Sequence, residues 1–162
     1  MPNFSINETE KLIIEANFMT ITICGSITST PKIKEVSDQL IALGYKTFLP
    51  YSSIKIINGE LSLKEFLKEK QNNGDGAFRK IKDDLIKRYY NKIKESDAII
   101  VLNLDKNGIK NYIGGNVFLE MGFAHVLNKR IYLYNDLPDI NYLDEIKAMK
   151  PIVINQDLSK IL

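Results

Sequence analysis

A chain of 162 residues with 44% hydrophobic and 26% charged side chains has the make-up of one soluble domain with a real core. Its formal charge is only +2, and its lysines alternate with acids, as in Lys68-Glu69-Lys70 and Lys82-Asp83-Asp84, which argues against nucleic-acid binding and for solvated helix faces. One cysteine (Cys24) excludes an internal disulfide, one histidine (His125) excludes a multi-histidine metal site within one chain, and no apolar stretch reaches the roughly 18 residues that span a bilayer.

Residues 1–17 read as a lead segment, with a helix expected around Glu8 to Ala16. Its Glu8, Glu10 and Glu15 do not suit a signal peptide, so a cytoplasmic protein is expected. A domain is expected over 18–162. Phe18 to Cys24 is a β-rich run halted at Gly25-Ser26, hence a strand. Pro31 opens a helix from about Lys32 to Leu43, and Gly44 stops it. A second strand is expected over Tyr45 to Pro50. Residues 51–76 look irregular, with a short helix near Leu61 to Lys70 and loop chemistry at Asn72 to Gly76.

A long helix follows over about Ala77 to Glu95, where Phe78, Ile81, Leu85, Tyr89 and Ile93 keep helical spacing. Ala98 to Leu102 is a continuous apolar run, as in a strand covered on both faces. Beyond it the reading predicts a helix carrying Glu120, a strand over Arg130 to Tyr134, a helix near Tyr142 to Met149, a strand over Pro151 to Ile154, and a terminal helical turn. The alternation of strand and helix predicts an α/β fold: a single-domain, doubly wound, five-stranded parallel sheet of flavodoxin-like or Rossmann-like kind. Ligands in such folds bind beyond the carboxyl ends of the strands, near the point where strand order reverses. Three loops become candidates on that ground: Gly25 to Thr30, Pro50 to Ile54, and Asn103 to Asn116, the last including Asn103 and Asp105.

Gly25-Ser26-Ile27-Thr28-Ser29-Thr30 places a glycine and four hydroxyls ahead of a helix. That is an anion site by its exposed amides, or a capped strand-to-helix turn. Neither GxGxxG nor GxxxxGK[ST] occurs, so the dinucleotide and P-loop fingerprints are absent and no cofactor or metal is implied. Gly114-Gly115-Asn116 lets backbone approach a ligand, with Asn116 as a candidate helix cap. Glu120 is the only formally charged residue between Lys110 and Lys129. The helix dipole favours its anion, while burial among Phe118, Leu119 and Met121 favours the neutral acid. Such a carboxylate can serve as a nucleophile at an anomeric carbon, or it can satisfy helix amides or a lysine.

Among the other candidates, Asp97 begins the central strand at the wrong end and reads as structural. Asp83 and Asp84 read as solvated, Tyr89 as core and Cys24 as packing. His125 projects about 140° from Glu120 around the helix, which argues against a direct catalytic pair.

Ile23-Cys24-Gly25-Ser26-Ile27, Glu95-Ser96-Asp97-Ala98-Ile99-Ile100-Val101, Gly115-x4-Glu120-Met121-Gly122-Phe123-Ala124 and Lys129-Arg130-Ile131 occur in this order. Over about Thr20 to Tyr134 the chain thereby resembles the nucleoside 2-deoxyribosyltransferase superfamily, which includes 2'-deoxynucleoside 5'-phosphate N-hydrolases. The resemblance implies a transferase or N-glycosidase acting on a small-molecule nucleoside or nucleotide. Glu120 would be the nucleophile, with Gly25, Ser26 and Ile27 at the ligand and Gly115 and Asn116 near the sugar or its 5'-phosphate. It also implies a homodimer or higher homo-oligomer.

Gly114 stands where the transferases carry an aspartate, and the stretch Tyr89 to Asn91 offers no carboxylate to match the family acid. The first departure, with the small polar loop at 114–116, points toward nucleotide hydrolysis or simple nucleotide binding; the second leaves leaving-group activation without a matching residue. A non-catalytic nucleotide-binding module on the same fold is the alternative, and an unrelated flavodoxin-like domain with a structural Glu120 is a third reading.

Overall fold

A computed structural model of the chain describes residues 7, 8, 10, 19–72 and 75–162. Five strands form one parallel sheet: β1 (Thr20–Cys24), β2 (Lys46–Phe48), β3 (Ala98–Val101), β4 (Arg130–Leu133) and β5 (Ile152–Val153). Their spatial order is β2-β1-β3-β4-β5. The helices are α1 (Thr30–Ala42), α2 (Tyr51–Ile57), α3 (Leu63–Asn72), α4 (Asp75–Glu95), α5 (Gly115–Val126) and α6 (Leu143–Ala148), with short 3-10 turns at Ile27–Ser29 and Leu158–Lys160. The expected α/β class, five parallel strands and flavodoxin-like winding are all present.

Period-two alternation sorts the strand side chains into two layers. Ile21, Ile23, Ala98, Ile100 and Tyr132 pack with Ile33, Val36 and Leu40 of α1. Cys24, Ile99, Val101, Ile131 and Leu133 pack on the other face with Ile93 of α4 and Met121 and Ala124 of α5. A central parallel strand is covered on both sides, which is why every residue of β3 is buried and apolar. The register aligns Ile21 with Ala98 and Cys24 with Val101, so the ends of β1 and β3 stop side by side. The chain leaves β1 toward β2 on one flank and returns to β3 on the other. The reversal of winding, and the crevice it opens, therefore lie beyond Cys24 and Val101.

Several element boundaries differ from the expectation. The stretch 51–76 is not irregular: α2 follows Pro50 directly, and α3 runs to Asn72. Tyr51 to Ile57 carries hydroxyl and β-branched side chains and no side-chain cap, so intrinsic propensity hides the helix. Tertiary contacts supply what propensity lacks, and the buried Ser53 hydroxyl bonds Thr30 of α1 at 3.0 Å. Of the expected loop 72–76, Asn72 ends α3 and Asp75 opens α4. The expected lead helix over 8–16 lies outside the described residues apart from Glu8 and Glu10. Among the described residues, no helix is long and apolar enough to cross a membrane.

Candidate functional site

A cleft of about 1210 Å³ opens at the carboxyl edge of the sheet. Its walls come from the loop after β1, the loop after β3, the start of α5 and the helices α2, α3 and α4. Gly25, Ser26, Ile27, Asp105, Gly114, Gly115, Asn116 and Glu120 all line it, so segments nearly a hundred residues apart in sequence meet in one cavity.

The loop after β1 is held close to the core. A Cβ on Gly25 would sit 3.4 Å from Ile33 and 3.5 Å from Leu102, at the edge of ordinary contact. The loop after β3 is shaped by a tight hairpin turn. Lys106 and Ile109 exchange both backbone bonds at 3.0 Å. Asn107 and Gly108 between them have φ of 54° and 76°, the left-handed pair that a two-residue hairpin turn requires. Asp105 accepts from the Asn111 amide at 2.9 Å, closing the loop one step further out. The turn swings Lys106 back over the crevice, where its ammonium donates to Ser26 Oγ at 2.8 Å. Ser26 Oγ in turn shares a hydrogen bond with Thr28 Oγ1 at 2.9 Å. The Asn107-Gly108 pair was the available signal for this turn and so for Lys106, which the sequence alone did not single out.

Helix α5 begins two residues earlier than a cap at Asn116 would set it. Gly114, extended at φ −79° and ψ 167°, occupies the cap position, and Asn116 lies inside the first turn. The extended backbone of Gly114 leads the chain into the helix, and no side chain caps it. A Cβ on Gly115 would meet nothing within 4 Å, so the start of α5 has open space beside it where it lines the cleft. Glu120 therefore stands in the second turn, too far in for the helix end to favour its anion strongly.

Burial governs Glu120. Its Oε2 is out of reach of solvent and has no hydrogen-bond partner. Loss of hydration pushes the carboxyl up to about 8, opposed in part by the neighbouring Cys24 thiol. The same contact, added to complete burial, holds the Cys24 thiol well above its usual range. Cys24 is thus more than the packing group expected of it. Tyr89 is core, as expected, with its hydroxyl donating to the Ile23 carbonyl. Burial, then the nearby Cys24 and Glu120, raises its phenol too. Cys24, Tyr89 and Glu120 form a dry titratable cluster at the end of β1, and the Glu120 acid and the Tyr89 ring reach the cleft wall.

Asn103 does not join the site. It is fully buried and clasps the loop after β4. Its amide donates to the Asn135 carbonyl at 3.3 Å and the Asp136 carbonyl at 2.8 Å, and its Oδ1 accepts from Asn135 N at 2.9 Å. Every polar atom of its side chain is spent on backbone, so it is a latch and not a ligand contact. Asp97 accepts from the Thr20 amide at 2.7 Å at the far end of the sheet, a structural role as expected. Asp83 and Asp84 are exposed.

Six cationic side chains stand on the cleft wall, Lys32, Lys70, Lys82, Arg88, Lys92 and Lys106, against the carboxyls of Glu95, Asp105 and Glu120. Lys32 is tied to Glu35 at 2.7 Å and Lys92 to Glu95 at 3.6 Å. Lys106 has no carboxylate partner among the described residues. The mouth is rimmed by exposed apolar side chains, Tyr51, Ile54, Leu67, Ile81 and Leu119. Among the described residues no three His, Cys, Asp or Glu side chains come together as a metal site.

No family model matches the chain. No curated protein matches it either. Among solved structures it is similar to the CMP N-glycosidase BcmB of Clostridium botulinum, at 15% identity over 84% of this chain and 89% of that one, with a TM-score of 0.41.

Proposed function

We propose that the cleft cleaves or transfers the N-glycosidic bond of 2'-deoxynucleosides or their 5'-monophosphates in the cytoplasm, with Glu120 as nucleophile. The observation that carries this reading is Glu120 on the wall of a large cleft at the reversal of strand order, with its Oε2 buried and without a hydrogen-bond partner. A buried polar atom without a partner costs free energy in the empty protein, and turning the carboxyl toward a ligand in the cleft would recover that cost. The sequence pattern around Gly115 to Ala124 agrees with the role.

In the reaction Glu120, once ionised, attacks the anomeric carbon. The carbon–nitrogen bond breaks and the base departs with a proton from solvent. Water or a second base then takes the sugar from the resulting ester. Low polarity around the carboxylate strengthens its attraction for the cationic character that develops on the sugar. Gly25, Ser26 and Ile27 border the ligand, with Gly114, Gly115, Asn116 and Asp105 along the opposite wall. The apolar rim is suited to a second subunit closing the mouth in a homo-oligomer.

A second reading has its own support. A carboxyl that keeps its proton near neutrality is a good hydrogen-bond donor to a base and a poor nucleophile, as a binding module would require. Incubation with the four common 2'-deoxynucleosides and their 5'-monophosphates, followed by chromatography for free base, separates the two. The enzyme releases base, and Glu120→Gln releases none while its melting temperature still rises with ligand. Ligand-induced stabilisation of the parent protein without any free base would leave the binding module standing.

A further inference from the structure

Three Asn-Gly pairs occur in the chain: Asn58-Gly59, Asn73-Gly74 and Asn107-Gly108. Such a pair can cyclise, because glycine puts no side chain in the way when its nitrogen approaches the asparagine amide. Asn73-Gly74 lies outside the described residues. The other two pairs are both exposed, but they are held very differently.

Asn58 ends α2 in helical conformation, at φ −79° and ψ −4°. Gly59 N donates to the Ile56 carbonyl at 3.1 Å and Glu60 N to the Lys55 carbonyl at 2.9 Å. The Asn58 side-chain amide donates to Glu60 at 3.3 Å. At Asn107-Gly108 these restraints are missing. Among the described residues neither the Asn107 side chain nor the Gly108 amide has a hydrogen-bond partner. The two bonds of the turn run between Lys106 and Ile109, outside the peptide that would react.

The turn also places the reacting atoms one motion apart. With φ of 54° and 76°, Asn107 and Gly108 form a I′ turn. A II′ turn keeps positive φ at its first residue, with ψ there near about −120° and negative φ at the second. Only the peptide between Asn107 and Gly108 has to flip, and glycine takes either sign of φ without strain. In the flipped turn Asn107 Cβ and Gly108 N eclipse one another about the Cα–C bond, which is the closure a succinimide requires. Asn58 can reach that ψ only by giving up the Gly59 and Glu60 bonds.

We propose that Asn107-Gly108 is a spontaneous modification site, where asparagine converts to aspartate and isoaspartate in the folded protein while Asn58 is spared. Gly108 N gives its proton to water and attacks Cγ of Asn107. The new C–N bond closes the succinimide, the Cγ–Nδ2 bond breaks, and ammonia leaves after taking a proton from solvent. One water then opens the ring. Opening at Cγ gives aspartate. Opening at the backbone carbonyl gives isoaspartate, with the main chain routed through Cβ and Cγ. Isoaspartate adds one atom to the backbone between Lys106 and Ile109, so the two bonds that set the turn do not both persist. Either product places a carboxylate beside Lys106, whose ammonium bonds only the Ser26 hydroxyl among the described residues. Ageing at this pair therefore neutralises a cation on the cleft wall, whether the cleft is an enzyme's or a binding module's.

The test is incubation of the full chain at physiological temperature and neutral pH, with peptide mapping by mass spectrometry at intervals. The peptide from Asn107 to Lys110 exchanges NH for oxygen in mass and splits into aspartate and isoaspartate forms. It does so roughly tenfold or more faster than the peptide holding Asn58, the factor that the bonds locking Gly59 and Glu60 impose. In urea both pairs are released and convert at similar rates. Asn107→Gly retains the turn, since Gly-Gly suits it, keeps its melting temperature, and shows no mass change in that peptide. Equal rates at Asn58 and Asn107 in the folded chain overturn the assignment. So does an Asn107 that converts in urea and stays intact in the fold, or a mass change that persists in Asn107→Gly.

Discussion

Replacing Glu120 by glutamine will change how the protein's stability depends on pH, and the size of the change follows from burial. The carboxyl has an ordinary value of 4.5 and is pushed up to about 8 in the folded chain. Between those limits the folded protein holds a proton that the unfolded chain releases, so stability falls as pH rises from 4.5 to 8. Below 4.5 both states are protonated and the penalty is absent. Near pH 7 it reaches roughly 3 kcal/mol, at about 1.4 kcal/mol for each unit between 4.5 and the working pH. Glutamine has the same shape and no ionisation, so it removes the slope. Its amide still has to be accommodated in a dry place, which makes the pH dependence of the difference more informative than its absolute size. Thermal melts of both proteins at several pH values from 4.5 to 8 measure it. Relative to its value at pH 4.5, the variant's advantage in melting temperature should grow by roughly 6–12 °C at pH 7, given 2–4 °C per kcal/mol for a chain of this length. A difference that stays flat with pH, or that shrinks as pH rises, would refute the assignment of Glu120 as a buried, proton-holding acid.

The same titration should appear in the rate. Values of kcat/KM should climb tenfold per pH unit below about 8 and level off above it, because the free enzyme must lose the Glu120 proton before attack. Cys24→Ala takes away the one side chain that lowers the Glu120 value, so the plateau should begin at higher pH, and an unmoved profile would dismiss the thiol's part. Gly115→Ala should leave the melting temperature unchanged or slightly raised, since a methyl there meets nothing, yet weaken ligand binding by filling space beside the start of α5. Asn103→Ala strips three hydrogen bonds from a buried latch and should cost about 2–3 kcal/mol, read as a lower midpoint in urea with no change in ligand preference.

The sheet could be anticipated from sequence because its signal is local. Runs such as Thr20 to Cys24 and Ala98 to Val101 are β-branched or apolar throughout, and only a doubly covered parallel strand tolerates that. Pro31 and Gly44 marked the limits of α1 to within a residue or two. What escaped depended on neighbours distant in sequence. Nothing in Tyr51-Ser52-Ser53-Ile54 announces a helix until Thr30 is placed beside Ser53. Asn116 resembles a cap by residue type, but the extended Gly114 takes that position.

The three loops and Glu120 expected from sequence border one cleft, because fold topology alone directs attention to the carboxyl ends of strands. The state of Glu120 was not legible there, since the balance between helix dipole and desolvation turns on which helical turn it occupies. Cys24 and Asn103 were read by type, as packing and as ligand contact. Cys24 does pack in the core, and its effect on Glu120 comes in addition, whereas Asn103 is turned from the cleft to the Asn135 backbone.

An acid that retains its proton near neutral pH can be told apart chemically from the others on the molecule. Carboxyls in water ionise near pH 4, and diazo reagents esterify the protonated form while sparing the anion. The cleft gives a small reagent of this type a route to Glu120. Mass mapping after brief treatment would then find the added ester on the peptide spanning Gly115 to Val126, and nucleotide supplied beforehand would protect it. The trait that slows the empty protein as a nucleophile would thus serve as a built-in handle for locating and titrating its site in unfractionated samples.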